Sequence, residues 1–367
     1  MTESRVPEVG YEYFSERVHN QSLRKRLPLS GSIELTFACN FRCIHCYCVE
    51  EPPRRELSLE EIRGLVDQVA DEGCLWMLLT GGEPLLRRDF ADIYNYCRRK
   101  GLVTTLFTNG SLVNERIAGV LSDLKPFVVE ITLYGFSPET YRAVTGRAEN
   151  FEKVLRGIDL LQKAGVPLRL KSMILQQNKG DLPRIREFAQ SRGLNYRFDP
   201  VLNPTLSGSR KPEELMLTPE EIVALDVGDP ERLKSWDEFC EKFTFASDDG
   251  RLYKCGAGQW SFHIDPEGKL SLCMFARQNQ YDLRSGNFHE AFYTFLPTVL
   301  GQKESRVTKC GACPIRNMCG QCAGWAHLYS GDEEEPVEYL CRIAHARANA
   351  FGLNKIGSSA PPASGNA

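Results

Sequence analysis

The sequence predicts an α/β protein: a partial (β/α)6, TIM-like barrel followed by a smaller, cysteine-rich C-terminal domain. Between residues 30 and 202, six β-branched or aliphatic runs alternate with amphipathic stretches, a pattern typical of a parallel sheet with helices outside it. Unusual cysteine and glycine motifs follow the first three runs, at the strand ends where such a barrel gathers its active site. From residue 231 onward, cysteines, aromatic residues and turns replace this alternation.

The elements of the predicted barrel can be read one by one. The strand candidates are residues 33–38, 75–80, 103–108, 127–133, 167–175 and 196–202. Ser58 and Glu61 form a capping box before an apolar helical pattern, and residues 150–164 form another helix that ends at Gly165. A doubly wound sheet is the alternative, but the G-x-G-x-x-G turn expected after its first strand is missing.

Composition and charge narrow the class of protein. The 367 residues are 42% hydrophobic and 25% charged, with a net charge of −3, so general nucleic-acid binding is not expected. No secretory signal or membrane-spanning run is visible, and 14 cysteines without a signal favour metal binding in the cytoplasm over disulfides. We expect an N-terminal extension at residues 1–29, a core with linker at residues 30–230, a C-terminal domain at residues 231–350 and a disordered tail at residues 351–367.

The most informative motif follows the first strand candidate. Cys39, Cys43 and Cys46 are spaced C-x3-C-x2-C. Three close thiolates can bind three irons of a cubane cluster and leave the fourth iron open to a small molecule. A zinc knuckle is the competing interpretation, but zinc usually takes four ligands at pairwise spacings. The spacing therefore favours an iron–sulfur cluster with an open site.

Two further motifs follow the next strand candidates. Gly81 and Gly82 allow close backbone approach to a ligand, Glu83 and neighbouring carbonyls can accept hydrogen bonds from an ammonium group, and Pro84 stiffens the turn. Thr108, Asn109 and Gly110 close the third strand. Either motif alone is also compatible with an ordinary turn.

Together the triad, Tyr47 and the Gly-Gly-Glu-Pro motif resemble the radical S-adenosylmethionine (radical SAM) family. The resemblance implies a [4Fe–4S] cluster on Cys39, Cys43 and Cys46 that binds S-adenosylmethionine (SAM) and yields a 5′-deoxyadenosyl radical. It also implies ribose contacts from Thr108, Asn109 and Gly110. Thr132 and Lys171 match positions of polar contacts to the methionine carboxylate.

The C-terminal cysteines resemble the SPASM extension, which carries two auxiliary iron–sulfur clusters. They read Cys255-x12-Gly268-x4-Cys273, then C-x2-C-x5-C-x2-C from Cys310, then Cys341. The resemblance implies Cys255, Cys273 and Cys322 for one cluster and Cys310, Cys313, Cys319 and Cys341 for the other. The last pair departs from the usual x3 spacing, and the first cluster has either an open iron or Cys240, in a predicted core helix, as its fourth ligand. A zinc ribbon needs a loop of about 15–20 residues where this chain has five.

The resemblance implies an enzyme that modifies a peptide or protein, as maturases of ribosomally made peptides do. Met274 stands where formylglycine-forming members carry Asp, and only 38 residues precede Cys39, so we expect a separate leader-recognition protein. An electron donor such as flavodoxin or ferredoxin is implied as well. The alternatives are a SPASM enzyme acting on a small molecule or sugar, and an electron-transfer protein without radical chemistry.

Overall fold

The computed structural model describes residues 10–48, 55–244 and 250–353. The tail that the sequence predicts to be disordered is residues 351–367, and from residue 354 onward it lies outside the described residues. The strands are β1 (Ser30–Glu34), β2 (Trp76–Thr80), β3 (Val103–Thr108), β4 (Val128–Thr132), β5 (Leu168–Met173), β6 (Asn195–Asp199), β7 (Ser261–Ile264), β8 (Lys269–Ser271) and β9 (Tyr281–Asp282). All six predicted strands are present. The first ends at Glu34, four residues before its predicted end, so residues 35–38 belong to the cysteine loop.

These nine strands form one sheet in the order β6-β5-β4-β3-β2-β1-β7-β8-β9. Neighbours from β6 to β1 are parallel, which confirms the predicted six-strand α/β architecture. Strand β7 then pairs parallel with β1, and β8 and β9 follow antiparallel. The C-terminal region therefore extends the sheet of the barrel at its first strand.

Helices lie between the parallel strands and beyond them. They are α1 (Tyr11–Lys25), α2 (Leu59–Asp71), α3 (Phe90–Arg99), α4 (Glu115–Asp123), α5 (Pro138–Thr145), α6 (Asn150–Lys163), α7 (Leu182–Ser191), α8 (Pro219–Gly228), α9 (Pro230–Glu241), α10 (Phe288–Glu290), α11 (Leu296–Leu300), α12 (Ala323–Ser330) and α13 (Glu338–Ala350). The predicted capping box begins α2: the Glu61 amide donates to Ser58 Oγ at 3.2 Å, and the Ser58 amide donates to the Glu61 carboxylate at 2.8 Å. Among the described residues, no helix is both long and apolar enough to cross a bilayer.

One apolar core joins the barrel to the C-terminal region. The side chains of β4 are buried along the whole strand, as expected for a central parallel strand covered on both faces. The same core contains Leu79 and Leu106 of the barrel together with Phe262 and Phe288 of the C-terminal region. The domain boundary expected at residue 231 falls in the first turn of α9, and chain on both sides of it shares this core.

The linker helix α8 is fastened to the C-terminal helices by a buried carboxylate. Asp226 of α8 is fully buried and pairs with Arg232 of α9, while Arg347 Nε of α13 donates to Asp226 Oδ2 at 2.8 Å. Helix α9 itself has no fully buried residue, so the expectation that Cys240 lies in a core helix is only partly right. The helix forms, but its apolar side chains only cover the edge of a small cluster around Ile315 and Met318.

Candidate functional site

The three cysteines of the first motif line one cavity at the carboxyl ends of the strands. It has a volume of about 260 Å³. Most of the predicted cofactor contacts line the same cavity: Gly81, Gly82, Thr108, Asn109, Thr132 and Lys171. The chain thus brings together side chains from five different βα units, because the ends of parallel strands meet at one edge of the sheet.

The triad lies beside aromatic side chains, with Cys39 and Cys43 half-buried and Cys46 exposed. Burial raises the pKa of the Cys39 thiol to about 11 and that of Cys43 further above its ordinary value. A hydrogen bond with Cys48 lowers the pKa of Cys46 to about 7. The ring of His45, whose pKa burial lowers to about 4, packs against Tyr134 with centroids 5.3 Å apart. Metal ligation requires thiolates, so binding of a cluster here must release protons.

The two glycines after β2 are needed for contact with the cysteine loop. A Cβ on Gly81, which has φ of +135°, would lie 2.4 Å from the Thr36 carbonyl oxygen, and one on Gly82 would lie 2.4 Å from that of Ala38. The Gly82 amide donates to the Thr36 carbonyl at 2.8 Å. The close approach inferred from these glycines is therefore made to the backbone that leads into Cys39, which is what holds the triad against the end of β2.

Glu83 points away from the cavity, contrary to the role expected of its side chain. It is fully buried, and its carboxylate accepts hydrogen bonds from Thr108 Oγ1 and the Asn109 amide, both at 2.7 Å, and from the Leu85 amide at 3.0 Å. Burial raises the pKa of Glu83 against the effect of these bonds. Its oxygens are occupied by the end of β3, so an ammonium ligand must use carbonyl oxygens of the motif instead. Pro84 and Gly110 are likewise outside the cavity lining.

A buried carboxylate organises the basic side chains at the far wall. Glu130 of β4 contacts Arg169 at 3.1 Å, Lys171 at 3.7 Å and Arg197 at 2.6 Å. Burial lowers the pKa of Lys171 to about 7, although Glu130 opposes the shift. Sequence analysis predicted Lys171 but missed Glu130 and Arg197. A charged residue inside the apolar run of β4 was the available signal.

The C-terminal cysteines separate into two groups. Cys255, Cys273 and Cys322 influence one another electrostatically, and Cys319 is influenced in the same way by Cys310, Cys313 and Cys341. These are the two sets that the SPASM resemblance implied. Cys240 packs against the same small apolar cluster as Cys313 and Cys319 of the second group.

None of the cysteine groups forms a site for a single ion. In the described ranges, no three His, Cys, Asp or Glu side chains converge on one point that could hold a metal. A tetrahedral zinc ion with sulfur ligands at about 2.3 Å would require such convergence. Cysteines that bind different irons of one cluster do not have to meet at a point, so the iron–sulfur assignment stays a prediction.

A second buried network lies beneath the triad and was missed by sequence analysis. Glu34, at the end of β1, accepts a hydrogen bond from Arg277 at 2.8 Å and lies 3.7 Å from His263. Arg277 also donates to the Met274 carbonyl at 2.7 Å. Met274 lines the triad cavity, so this network holds the segment after Cys273 against the barrel. His263 lies on strand β7, and its buried ring is hydrogen-bonded to Ser32.

Comparisons with known proteins agree with this geometry. The model of the Radical SAM superfamily matches residues 33–189. The AdoMet-dependent heme synthase of Methanosarcina barkeri is 26% identical over 338 residues, which cover 83% of this chain and 94% of that protein. The mycofactocin maturase MftC of Mycobacterium ulcerans is 28% identical over 319 residues, covering 83% and 85% respectively.

A solved structure shares the fold over nearly the whole chain. Streptococcus suis SuiB bound to the precursor peptide SuiA matches with a TM-score of 0.68 and 15% sequence identity. The match covers 93% of this chain and 84% of SuiB. At this level of identity the likeness establishes the fold alone, from the barrel through the C-terminal cysteine-rich region.

Proposed function

We propose that the chain, in which residues 33–189 match the model of the Radical SAM superfamily, modifies a peptide or protein substrate by radical chemistry. The observation that carries the proposal is the single cavity that joins the triad to Lys171, Arg197 and Asp199 at the barrel mouth. MftC is a named maturase with 28% identity, and SuiB, which shares the fold, was solved with its precursor peptide. These two relatives favour a peptide over other substrates.

The residues have distinct roles in this proposal. Cys39, Cys43 and Cys46 hold the [4Fe–4S] cluster, and carbonyl oxygens of the Gly81–Pro84 motif receive the amino group of SAM. When bound, the cluster and SAM supply the reductive cleavage that yields a 5′-deoxyadenosyl radical. Thr132 and Lys171 would orient the methionine carboxylate, while Thr108 and Asn109 would position the ribose. Tyr134 and His45 exclude water from the triad.

We propose two auxiliary [4Fe–4S] clusters in the C-terminal region. Cys255, Cys273 and Cys322 hold the first, which keeps one iron without a protein ligand. Cys310, Cys313, Cys319 and Cys341 hold the second. Cys240 packs against the same apolar cluster as Cys313 and Cys319, which supports leaving it out of the first ligand set. A flavodoxin- or ferredoxin-type donor supplies electrons, and a separate small protein presents the peptide leader.

The first experiment tests the radical chemistry. Protein reconstituted anaerobically and supplied with dithionite and SAM should form 5′-deoxyadenosine, and Cys43→Ala should abolish it. Cys97→Ala is the matched control, because Cys97 is a fully buried core thiol away from the cavity. Undiminished 5′-deoxyadenosine from Cys43→Ala would show that the triad does not generate the radical.

The second experiment tests the substrate class. Co-expression with each short peptide encoded beside the gene should change the mass of one peptide, and the change should require Cys43. A small molecule is the second candidate, because the heme synthase match covers 94% of that relative. Unchanged peptides, together with turnover of a tetrapyrrole in the same extracts, would replace the first candidate with the second.

A further inference from the structure

A second cavity adjoins the triad cavity at the barrel mouth. It has a volume of about 510 Å³ and lies between β6, α9, α12 and α13. Arg197, Phe198, Asp199 and Asn203 line both cavities, so the two lie next to each other at the end of β6. Met318 and Gly320, which flank Cys319, also line the second cavity. A molecule bound there would lie between the triad and the C-terminal cysteines.

Three arginines line this second cavity: Arg197, Arg232 and Arg347. Each uses part of its guanidinium on a buried carboxylate, Glu130 for Arg197 and Asp226 for the other two. Those carboxylates are outnumbered, since Glu130 contacts three basic side chains and Asp226 two. The buried acids therefore fix the arginines in place without neutralising them.

The arginines also keep hydrogen-bond donors for a ligand. Arg347 gives only its Nε–H to Asp226, and within the described chain neither of its Nη groups has a hydrogen-bonding protein partner. Arg197 is bound through Nη2 alone, and its side chain is half exposed. A guanidinium offers five N–H donors in a planar fork that matches a carboxylate. Unused donors of two arginines thus remain at one cavity.

The rest of the lining restricts the kind of anion. Phe198, Trp325 and Leu340 supply apolar walls. Asp199 also lines the cavity. Burial raises the pKa of its carboxyl group, although the positive charges of the three arginines act to lower it. A carboxylate at this position repels a phosphate dianion more strongly than a monoanion. The composition suits a single carboxylate carried on an apolar group.

We infer that the second cavity is the substrate subsite and that it binds a carboxylate of the substrate through Arg347 and Arg197. The inference rests on the proposed radical function, because a subsite here would hold the carboxylate-bearing part of the substrate beside the triad. It is compatible with a peptide carboxylate and with a small-molecule acid. The alternative is that these arginines serve only to lock α8, α9 and α13 together.

Binding of a simple probe tests the subsite without turnover. Anaerobic equilibrium dialysis of reconstituted holoenzyme should show 3-phenylpropionate binding at least tenfold more tightly than 3-phenylpropionamide, which has the same shape without the charge. Arg347→Gln should weaken binding of the carboxylate about tenfold, as expected for the loss of one charge-assisted hydrogen bond. Arg197→Gln, at a half-exposed position with little risk to folding, should also weaken it.

Arg192→Gln is the matched control, since Arg192 pairs with Asp159 and lies over the Phe188 ring, outside both cavities. It should bind the probe as the wild type does. Equal binding of carboxylate and amide, or unchanged affinity in both cavity variants, would overturn the inference. Inorganic phosphate binding as tightly as 3-phenylpropionate would overturn the carboxylate assignment. Failure of the proposed function would appear separately, as wild-type protein that forms no 5′-deoxyadenosine.

Discussion

Glycine at position 82 shows how one residue positions the candidate radical centre. Its backbone packs against the Phe37 and Ala38 carbonyls, so that the space a Cβ needs is already taken. Sequence analysis identified the glycine as a site of close approach. It could not tell whether the approaching group was a ligand or the cysteine loop, because that depends on how β1 and β2 are paired.

Gly82→Ala should therefore disturb the triad. The added Cβ would lie 2.4 Å from the Ala38 carbonyl oxygen, a contact that backbone can relieve only by moving the segment before Cys39. We expect at least a tenfold loss of 5′-deoxyadenosine formation, measured at saturating SAM. Gly64→Ala is the control: nothing lies within 4 Å of a Cβ there, and alanine in α2 should stabilise by about 0.5–1 kcal/mol. Equal activity of the two variants would contradict this account.

The buried carboxylate of Glu34 makes the stability of the folded protein depend on pH. Burial alone would raise its pKa, but the charges and hydrogen bonds of His263 and Arg277 outweigh burial and lower the pKa to about 2. A lowered pKa in the folded state contributes stability that is complete above about pH 4.5 and is lost as the pH falls towards 2.

The thermal midpoint of the wild type should therefore fall more steeply between pH 5 and pH 3 than that of Glu34→Gln, which has no charge to lose. Differential scanning calorimetry at pH 5, 4 and 3 makes the comparison. Parallel curves for the two proteins would show that Glu34 is not the titrating group.

At the scale of elements, the helices of the linker and the C-terminal region depend on one carboxylate. The sequence predicted a linker before residue 231, and α8 lies in it. Its attachment through Asp226 to Arg347 was not predictable, because these two residues meet only when α13 folds back onto α8. Boundaries of the strands were also shifted by a few residues, since pairing with neighbours decides where a strand ends.

Asp226→Asn should loosen this junction. Removing the charge leaves two arginines without their buried partner, and the expected cost is about 3 kcal/mol in the free energy of unfolding. Asp159→Asn, which removes the partner of Arg192 at a largely exposed position, should cost less than about 1 kcal/mol. Chemical denaturation followed by circular dichroism measures both. Similar losses of unfolding free energy in the two variants would mean that the Asp226 junction stabilises the fold no more than the Asp159–Arg192 pair does.

At the scale of the whole molecule, one sheet and one apolar core connect the barrel to the cysteine-rich region. Strand β7 lies beside β1, and Arg277 from the segment after β8 reaches Glu34 at the end of β1. The cysteine motifs at the two ends of the chain are therefore held in a fixed relation. This connection is what a transfer of electrons or substrate between them would require.

The iron content tests that arrangement. Wild-type protein reconstituted anaerobically should hold about twelve irons per chain if three cubane clusters form. Cys319→Ala should lower the count by up to four, while Cys97→Ala should leave it unchanged. A wild-type count near four, or zinc in place of iron, would eliminate the auxiliary clusters.

The sequence by itself determined the chemistry. Motif spacing pointed to the triad and the glycine turn, because such motifs depend on residue type and on distance along the chain. The two sets of C-terminal cysteines came from the SPASM resemblance and stay a prediction. Alternation of strands and helices determined the six-strand α/β sheet for the same reason. Tertiary structure alone decided that the Glu83 carboxylate accepts hydrogen bonds at the end of β3, that Glu34 is paired with Arg277, and that three arginines line a cavity beside the triad. Each of these contacts joins residues far apart in the chain, so no local pattern could have indicated it.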